Sequence, residues 1–147
     1  MFLSSSEISS RLVSDLRLGL PIILYDAKTY FLTAAIETLY SEKLDKMMEI
    51  AKNQNFEIAI TNRRAKVLNV RIYNESVTRI SIREKVSIQL LQAIADPSKD
   101  LDYPLKGPFQ SERNGKFDVA SVSLSLCKKA RLLPASIIVN IPKSIRD

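Results

Sequence analysis

Polar and apolar residues alternate along this chain with two periods, and the switches between them mark its elements. From Ser4 to Leu18, Ile8, Leu12 and Leu16 recur at every fourth position while Arg11, Asp15 and Arg17 fall elsewhere, which predicts an amphipathic helix. Ser4 and Glu7 have capping-box spacing, and Gly19 followed by Pro21 provides a stop. The apolar run Pro21 to Tyr25, bounded by turn formers, predicts a strand buried on both faces. A tight turn at Asp26-Ala27-Lys28 leads into a second extended run, Thr29 to Glu37, for which helix is the alternative because of Ala34-Ala35.

Ser41 to Asn53 has the cleanest helical stripe. Leu44, Met47, Met48 and Ala51 share one face, Lys43, Lys46 and Glu49 face away, Ser41 can cap it, and Asn53 and Asn55 mark its end. Phe56 to Ile60 alternates as a strand, and Thr61 or Asn62 can cap a short helix from Arg63 to Leu68. The same strand-then-helix order recurs in Val77 to Ile82 and in the helix marked by Val86, Leu90, Leu91 and Ile94, which must stop at Asp96-Pro97. Asp96 to Asn114 is irregular. Lys116 to Leu133 is helical again, with Ala120, Ser121, Ser123 and Ser125 permitting close packing and Pro134 closing it, before a last strand from Ile137 to Ile141. Helices and strands interleave throughout, which predicts one α+β or α/β domain with a mixed β-sheet flanked by helices. Residues 142–147, polar and proline-punctuated, read as the start of a linker after a domain of residues 1–141.

Composition changes this picture mainly by exclusion. A chain of 147 residues can bury a core without disulfide or metal, and 46% hydrophobic with 26% charged residues is ordinary for a soluble domain. There is no histidine and one cysteine, Cys127. Zinc sites, which need three or four ligands rich in Cys and His, and Ser-His-Asp or Cys-His nucleophile systems are therefore out of reach. The three glycines, Gly19, Gly107 and Gly115, are too far apart for a phosphate-cradling loop. A single thiol rules out an internal disulfide and fits a cytoplasmic protein, and no stretch reads as a signal peptide or membrane span.

The remaining candidates are sparse. Asp96, Asp100 and Asp102, together with Asp26 and Glu37, are the acids that a Mg²⁺-dependent reaction would gather, although Lys99 and Lys106 can neutralise the loop and Asp96 has a local role before Pro97. Arg63, Arg64, Lys66 and Arg71 form a basic group in a chain of net charge +6, readable as a phosphate or nucleic-acid surface or as a solvated face. Nothing resembling an aromatic RNA-binding pattern accompanies it, so a nucleic-acid partner is not expected. Lys128, Lys129 and Arg131 complement the C-terminal end of their predicted helix. Cys127, beside Leu124 and Leu126, reads as a small core residue. No catalytic, cofactor-binding or metal-ligating residue is assigned.

Three segments resemble a known family: LRLGLPIILYDA (Leu16 to Ala27), LQAIADPSKDLDYPLKGPF (Leu91 to Phe109) and CKKARLLPASIIVNI (Cys127 to Ile141). They are similar to the amino-terminal region of GTP cyclohydrolase II proteins of the alphaproteobacterial type, itself similar to dihydroxybutanone phosphate synthase, a riboflavin-pathway enzyme acting on ribulose 5-phosphate. The resemblance implies the synthase fold over roughly Arg11 to Ile141. It implies loss of the reaction as well. The synthase's acidic Mg²⁺-binding loop corresponds to Tyr25 to Tyr30, where Asp26 is the sole acid, and Ile36 stands where the next strand of the family ends in glutamate. The Gly-His-Thr-Glu that opens the synthase's last helix corresponds to the stretch near Asp118 to Ser121. A rearrangement through an enediolate needs base, acid and metal together. The resemblance further implies a homodimer, and a covalently linked cyclohydrolase domain beyond Asp147 in which zinc and Mg²⁺ would act, leaving this chain an assembly or support role.

Overall fold

The apolar runs on either side of Asp26 pair as an antiparallel hairpin, Ile22–Asp26 (β1) with Thr29–Ala35 (β2), in which Asp26 lies opposite Thr29. The computed structural model describes residues 5–26, 28–51, 56–83, 86–102, 109–115 and 117–142. Four more strands complete one sheet: Phe56–Thr61 (β3), Val77–Ile82 (β4), Gln110–Ser111 (β5) and Ala135–Asn140 (β6). The helices are Ser5–Arg17 (α1), Ser41–Ala51 (α2), Asn62–Val67 (α3), Ile88–Ala95 (α4) and Asp118–Lys129 (α5), with a 3₁₀ turn at Pro97–Lys99.

Strand order is β1-β2-β6-β3-β4-β5. The α+β class with helices flanking the sheet holds, but every strand pairing among the described residues is antiparallel rather than mixed. The reason lies in the last strand. β2 and β3, joined through α2, run parallel to each other, as a strand-helix-strand unit predicts, but β6 inserts between them and opposes both.

The period of two along each strand sorts residues onto two unlike faces. On one, Ile80, Ile58, Ile137 and Ala34 form a row across β4, β3, β6 and β2, all fully buried. Leu44, Met47 and Ala51 of α2 and Ile88, Leu91 and Ile94 of α4 cover that row. Each such isoleucine contributes about 1.5–3 kcal/mol by burial, and Ile58→Ala would cost about 2–5 kcal/mol. The other face carries the row Ala35, Ser136, Ala59 and Arg79. Its small members let α5 approach closely, with Ala120, Ser123 and Cys127 buried and the Ser123 and Ser136 hydroxyls 2.7 Å apart.

Local signals account for most boundaries. Gly19 ends α1 at φ +77°, and a Cβ there would lie 2.5 Å from the Thr38 carbonyl oxygen, so the site requires glycine. Thr61 caps α3 by accepting the Arg64 N–H at 3.1 Å. α2 begins on Ser41 itself, and the Tyr40 carbonyl accepts its first bonds, from Lys43 and Leu44. α5 stops at Lys129, four residues before the predicted end, because Arg131 turns at φ 60° and the Leu132 N–H returns to the Cys127 carbonyl.

β1 corrects a further expectation. It is an edge strand, not one buried on both faces, with Ile23 59% and Tyr25 58% exposed. Its packing against α1 and α5 lies on the Ile22 and Leu24 side only. Among the described residues no helix is long and apolar enough to cross a membrane. The Ser4 cap, the Asn53 and Asn55 helix end, Ala27, Lys106, Gly107 and the linker residues 143–147 lie outside the described residues.

Candidate functional site

Where β1, β2, β6, β3 and β4 pass under the first turn of α5, the sheet leaves a cavity of about 320 Å³. Phe31, Ile138, Val119 and Ala120 form its apolar wall, and Asp26, Thr29, Glu57 and Arg79 face it with polar groups. Asp26 and Thr29 are brought in by the β1–β2 turn, which passes through Lys28 at φ 68°. Glu57 and Arg79 arrive from adjacent strands. Ala59 pairs with Arg79 and Glu57 with Ser81, so the two charged side chains are diagonal neighbours on the α5 side.

Arg79 is the fixed centre of this site. Its side chain is 8% exposed, Nη1 donates to Glu57 Oε2 at 2.8 Å, and Nη2 donates to the Asn114 carbonyl. The Phe117 ring lies 4.2 Å from the guanidinium carbon, a cation–π arrangement. Gly115, at φ +90°, closes over the opposite edge, where a Cβ would come within 3.4 Å of Nη2. Arg79 Nε is buried without a hydrogen-bond partner among the described residues. Burial pushes the Glu57 carboxyl above its ordinary 4.5, outweighing the attraction of Arg79, and Glu112 adds to the rise. The arrangement is a partly desolvated ion pair opening onto a small amphipathic cavity.

The structure does not assemble the acids considered for a Mg²⁺-dependent reaction. Asp26 faces the cavity, but Glu37 lies beyond the far end of β2, about 20 Å along the strand. There Glu37 Oε2 accepts the Leu133 N–H at 3.2 Å and shares a separate depression with Asp96 and Lys99. Asp96 holds the 3₁₀ turn, its Oδ1 accepting from the Ser98 N–H at 2.9 Å and the Ser98 hydroxyl at 2.8 Å, and these bonds keep its carboxyl below the ordinary value. Asp100 pairs with Arg64, and Asp102 is exposed. The strand length that separates the two ends of the β1–β2 hairpin explains why sequence neighbours in acidity do not meet.

The basic group is divided too. Arg63, Lys66 and Arg71 are exposed, but Arg64 turns inward. Its Nη1 and Nη2 donate to Asp100 at 2.8 and 2.6 Å, Nε to the Ile94 carbonyl at 2.8 Å, and Nη2 to that of Ala93 at 3.1 Å. Those carbonyls belong to the last turn of α4, which lacks intrahelical donors. Cys127 is fully buried, and burial pushes its thiol up to about 12. Sequence reasoning missed Glu57 and Arg79. The available signal was one charge of each sign inside the apolar alternations FEIAIT and VTRISI.

The chain superposes on the two-domain 3,4-dihydroxy-2-butanone 4-phosphate synthase RibBX from A. baumannii with a TM-score of 0.66 and 21% identity, over 92% of this chain and 48% of that one. The 3,4-dihydroxy-2-butanone 4-phosphate synthase of Candida albicans gives 0.67 at 16% identity, over 92% and 81%. A synthase in complex with two magnesium ions gives 0.63 at 16% identity, over 90% and 74%. The chain therefore has the dihydroxybutanone phosphate synthase fold, and it spans about half the length of the two-domain protein. No protein-family sequence model and no curated protein sequence matches it significantly.

The magnesium of that last structure invites a test of fit. Mg²⁺ takes near-octahedral oxygen coordination, commonly through one or two carboxylates and several waters. Here the cavity offers Asp26 and Glu57, and Glu57 is already engaged by a guanidinium that faces the same space. Among the described residues no group of three or more His, Cys, Asp or Glu side chains is placed to hold a metal ion. The residues present do not fit a magnesium site.

Proposed function

We propose that this chain is a synthase-like domain that keeps the scaffold of dihydroxybutanone phosphate synthase without its reaction, and that it serves a GTP cyclohydrolase II of riboflavin biosynthesis as an assembly or support domain. The observation that carries the first half is the cavity under α5. It combines the last residue of the first strand, Asp26, with Val119 and Ala120 at the start of the last helix, and the Glu57–Arg79 ion pair lines the space between. In a chain without histidine, the described cavity offers one carboxylate paired with a buried arginine and one other, Asp26, which falls short of the base, acid and metal that an enediolate rearrangement needs together.

An exposed surface supports the assembly role. Ile23, Tyr25 and Tyr30 project from the outer end of the sheet on the side that α2 and α4 cover elsewhere, and the two tyrosine rings pack with centroids 4.7 Å apart, tilted by 40°. Three side chains fall far short of the roughly 800 Å² per partner that a free interface needs. A tethered domain needs less, because linkage alone supplies an effective concentration on the order of millimolar. β6 delivers the chain to this place, the Ile141 N–H donating to the Tyr30 carbonyl at 2.9 Å. In this reading the linked cyclohydrolase domain covers the patch, and zinc and Mg²⁺ act in that domain. On the same reading the domain forms a homodimer, and sedimentation of the purified protein at dimer mass is the expected outcome that checks it.

The test is to assay cyclohydrolase activity and melting temperature of the parent protein with and without this domain, and with Tyr25→Ser in place. Loss of activity or stability on deletion, partly reproduced by Tyr25→Ser, supports the role. Formation of dihydroxybutanone phosphate from ribulose 5-phosphate by the purified chain would overturn it.

A further inference from the structure

The cavity beside α5 contains two carboxylates and one guanidinium, and the guanidinium is the most firmly held of the three. Glu57 pins one end of it, the Asn114 carbonyl another, Phe117 supports its face and Gly115 leaves room for its edge. An arginine used to grip a passing ligand keeps its fork open to solvent, whereas this one is clamped from several sides and its side chain is 8% exposed. Its charge is a permanent part of the cavity wall.

A permanent charge decides what else can enter. Glu57 and Asp26 face a confined space in which carboxylates attract a counter-ion. A divalent cation would meet the guanidinium at close range in a poorly screened environment, and it would have to compete for a carboxylate that is already paired. We propose that Arg79 is the resident cation of this cavity and that its covalently attached charge closes the site to divalent metal ions. The inference rests on the proposed function only in taking this cavity as the place where chemistry was lost, and it does not depend on the linked domain.

Its consequence is that removing the charge opens a metal site. Arg79→Gln leaves polar groups for Glu57 and Asn114 but no cation, and exposes the oxygens of Glu57, Asp26 and Thr29 to the enlarged space. The experiment titrates the full chain with Mn²⁺, followed by electron paramagnetic resonance and calorimetry, with circular dichroism reporting the fold. Wild type and Arg79→Lys should take up no Mn²⁺ at the cavity below millimolar concentration. Arg79→Gln should bind at least tenfold more tightly, and a second change, Glu57→Gln, should abolish the gain. Arg79→Met serves in the same way should the glutamine variant not fold. A folded neutral variant that gains no affinity would overturn the proposal. So would Mn²⁺ bound by wild type and lost on Glu57→Gln, a result that leaves the cyclohydrolase assays of the preceding section untouched.

Discussion

Arg64 and Arg79 each keep 8% of their side chain exposed and each pairs with one carboxylate, yet their surroundings differ in completeness. Around Arg64 every nitrogen of the guanidinium has an acceptor, and the acceptors are structural: both oxygens of Asp100 and two carbonyls at the end of α4. Around Arg79 one nitrogen has none among the described residues, one partner is a carboxyl whose burial favours its neutral form, and the group faces a cavity. A saturated buried arginine holds elements together. An unsaturated one beside empty space costs stability, and such a cost is tolerated where a site has been built or rebuilt. Burial and charge alone do not separate the two; the count of satisfied donors does.

The largest effect that can sharpen this contrast is the loss of the Arg64 clamp. Arg64→Met strands Asp100 and the α4 carbonyls and should cost about 3 kcal/mol, the low end for breaking a buried pair, because Asp100 is 32% exposed and rehydrates. That corresponds to a fall of about 6–12 °C in Tm, read by thermal and urea melts. Arg79→Met should cost less, about 1–2 kcal/mol, since it also removes an unsatisfied donor. Combining it with Glu57→Leu should return the protein to within about 1 kcal/mol of wild type. A larger penalty at Arg79 than at Arg64 would invert the comparison.

A smaller effect appears with pH. Because the Glu57 carboxyl is held above 4.5, the folded chain takes up this proton before the unfolded chain does. The stability so gained is fully present below about 4.5 and is lost as pH rises through the folded value. Glu57→Gln does not titrate, so the Tm of wild type minus that of the variant should fall as pH is raised from 4.5 toward neutrality. A flat or rising difference would place Glu57 in a well-compensated pair like that of Arg64. The smallest structural effect marks the limit of the cavity. Cys127 belongs to the same helix but does not line the cavity, and with its thiol near 12 instead of 9 its thiolate fraction at pH 8 is roughly a thousandfold reduced. A thiol reagent should leave the native protein unlabelled at pH 8 and label it promptly once denatured.

Much of the fold was legible in the residues because it rests on local periodicity. The Leu44, Met47 and Ala51 stripe, the Val77 to Ile82 alternation and the Gly19 stop all act within a few positions of themselves. Less legible was whatever depends on partners far along the chain. The placement of β6 between β2 and β3 has no local signature, nor has the exposure of Ile23 and Tyr25, which follows from β1 being an edge. β5 is two residues long and carries no period at all. The candidate site suffered most, since it depends on a diagonal contact between strands twenty-two positions apart, whereas attention to clustered charges led to Asp96, Asp100 and Arg64. Their charges serve the 3₁₀ turn and the end of α4.

That last strand has a consequence for how the protein is made. β6 is the last strand of this sheet to be synthesised, yet it occupies the middle of the sheet, hydrogen-bonded on both sides. Until it arrives, β2 and β3 each present an unpaired edge, and the nascent polypeptide exposes two templates for association with other chains. Successful synthesis therefore depends on shelter of the earlier strands until β6 has emerged and the core can zip shut, and a premature stop anywhere before Ala135 yields two half-sheets with nothing to join them.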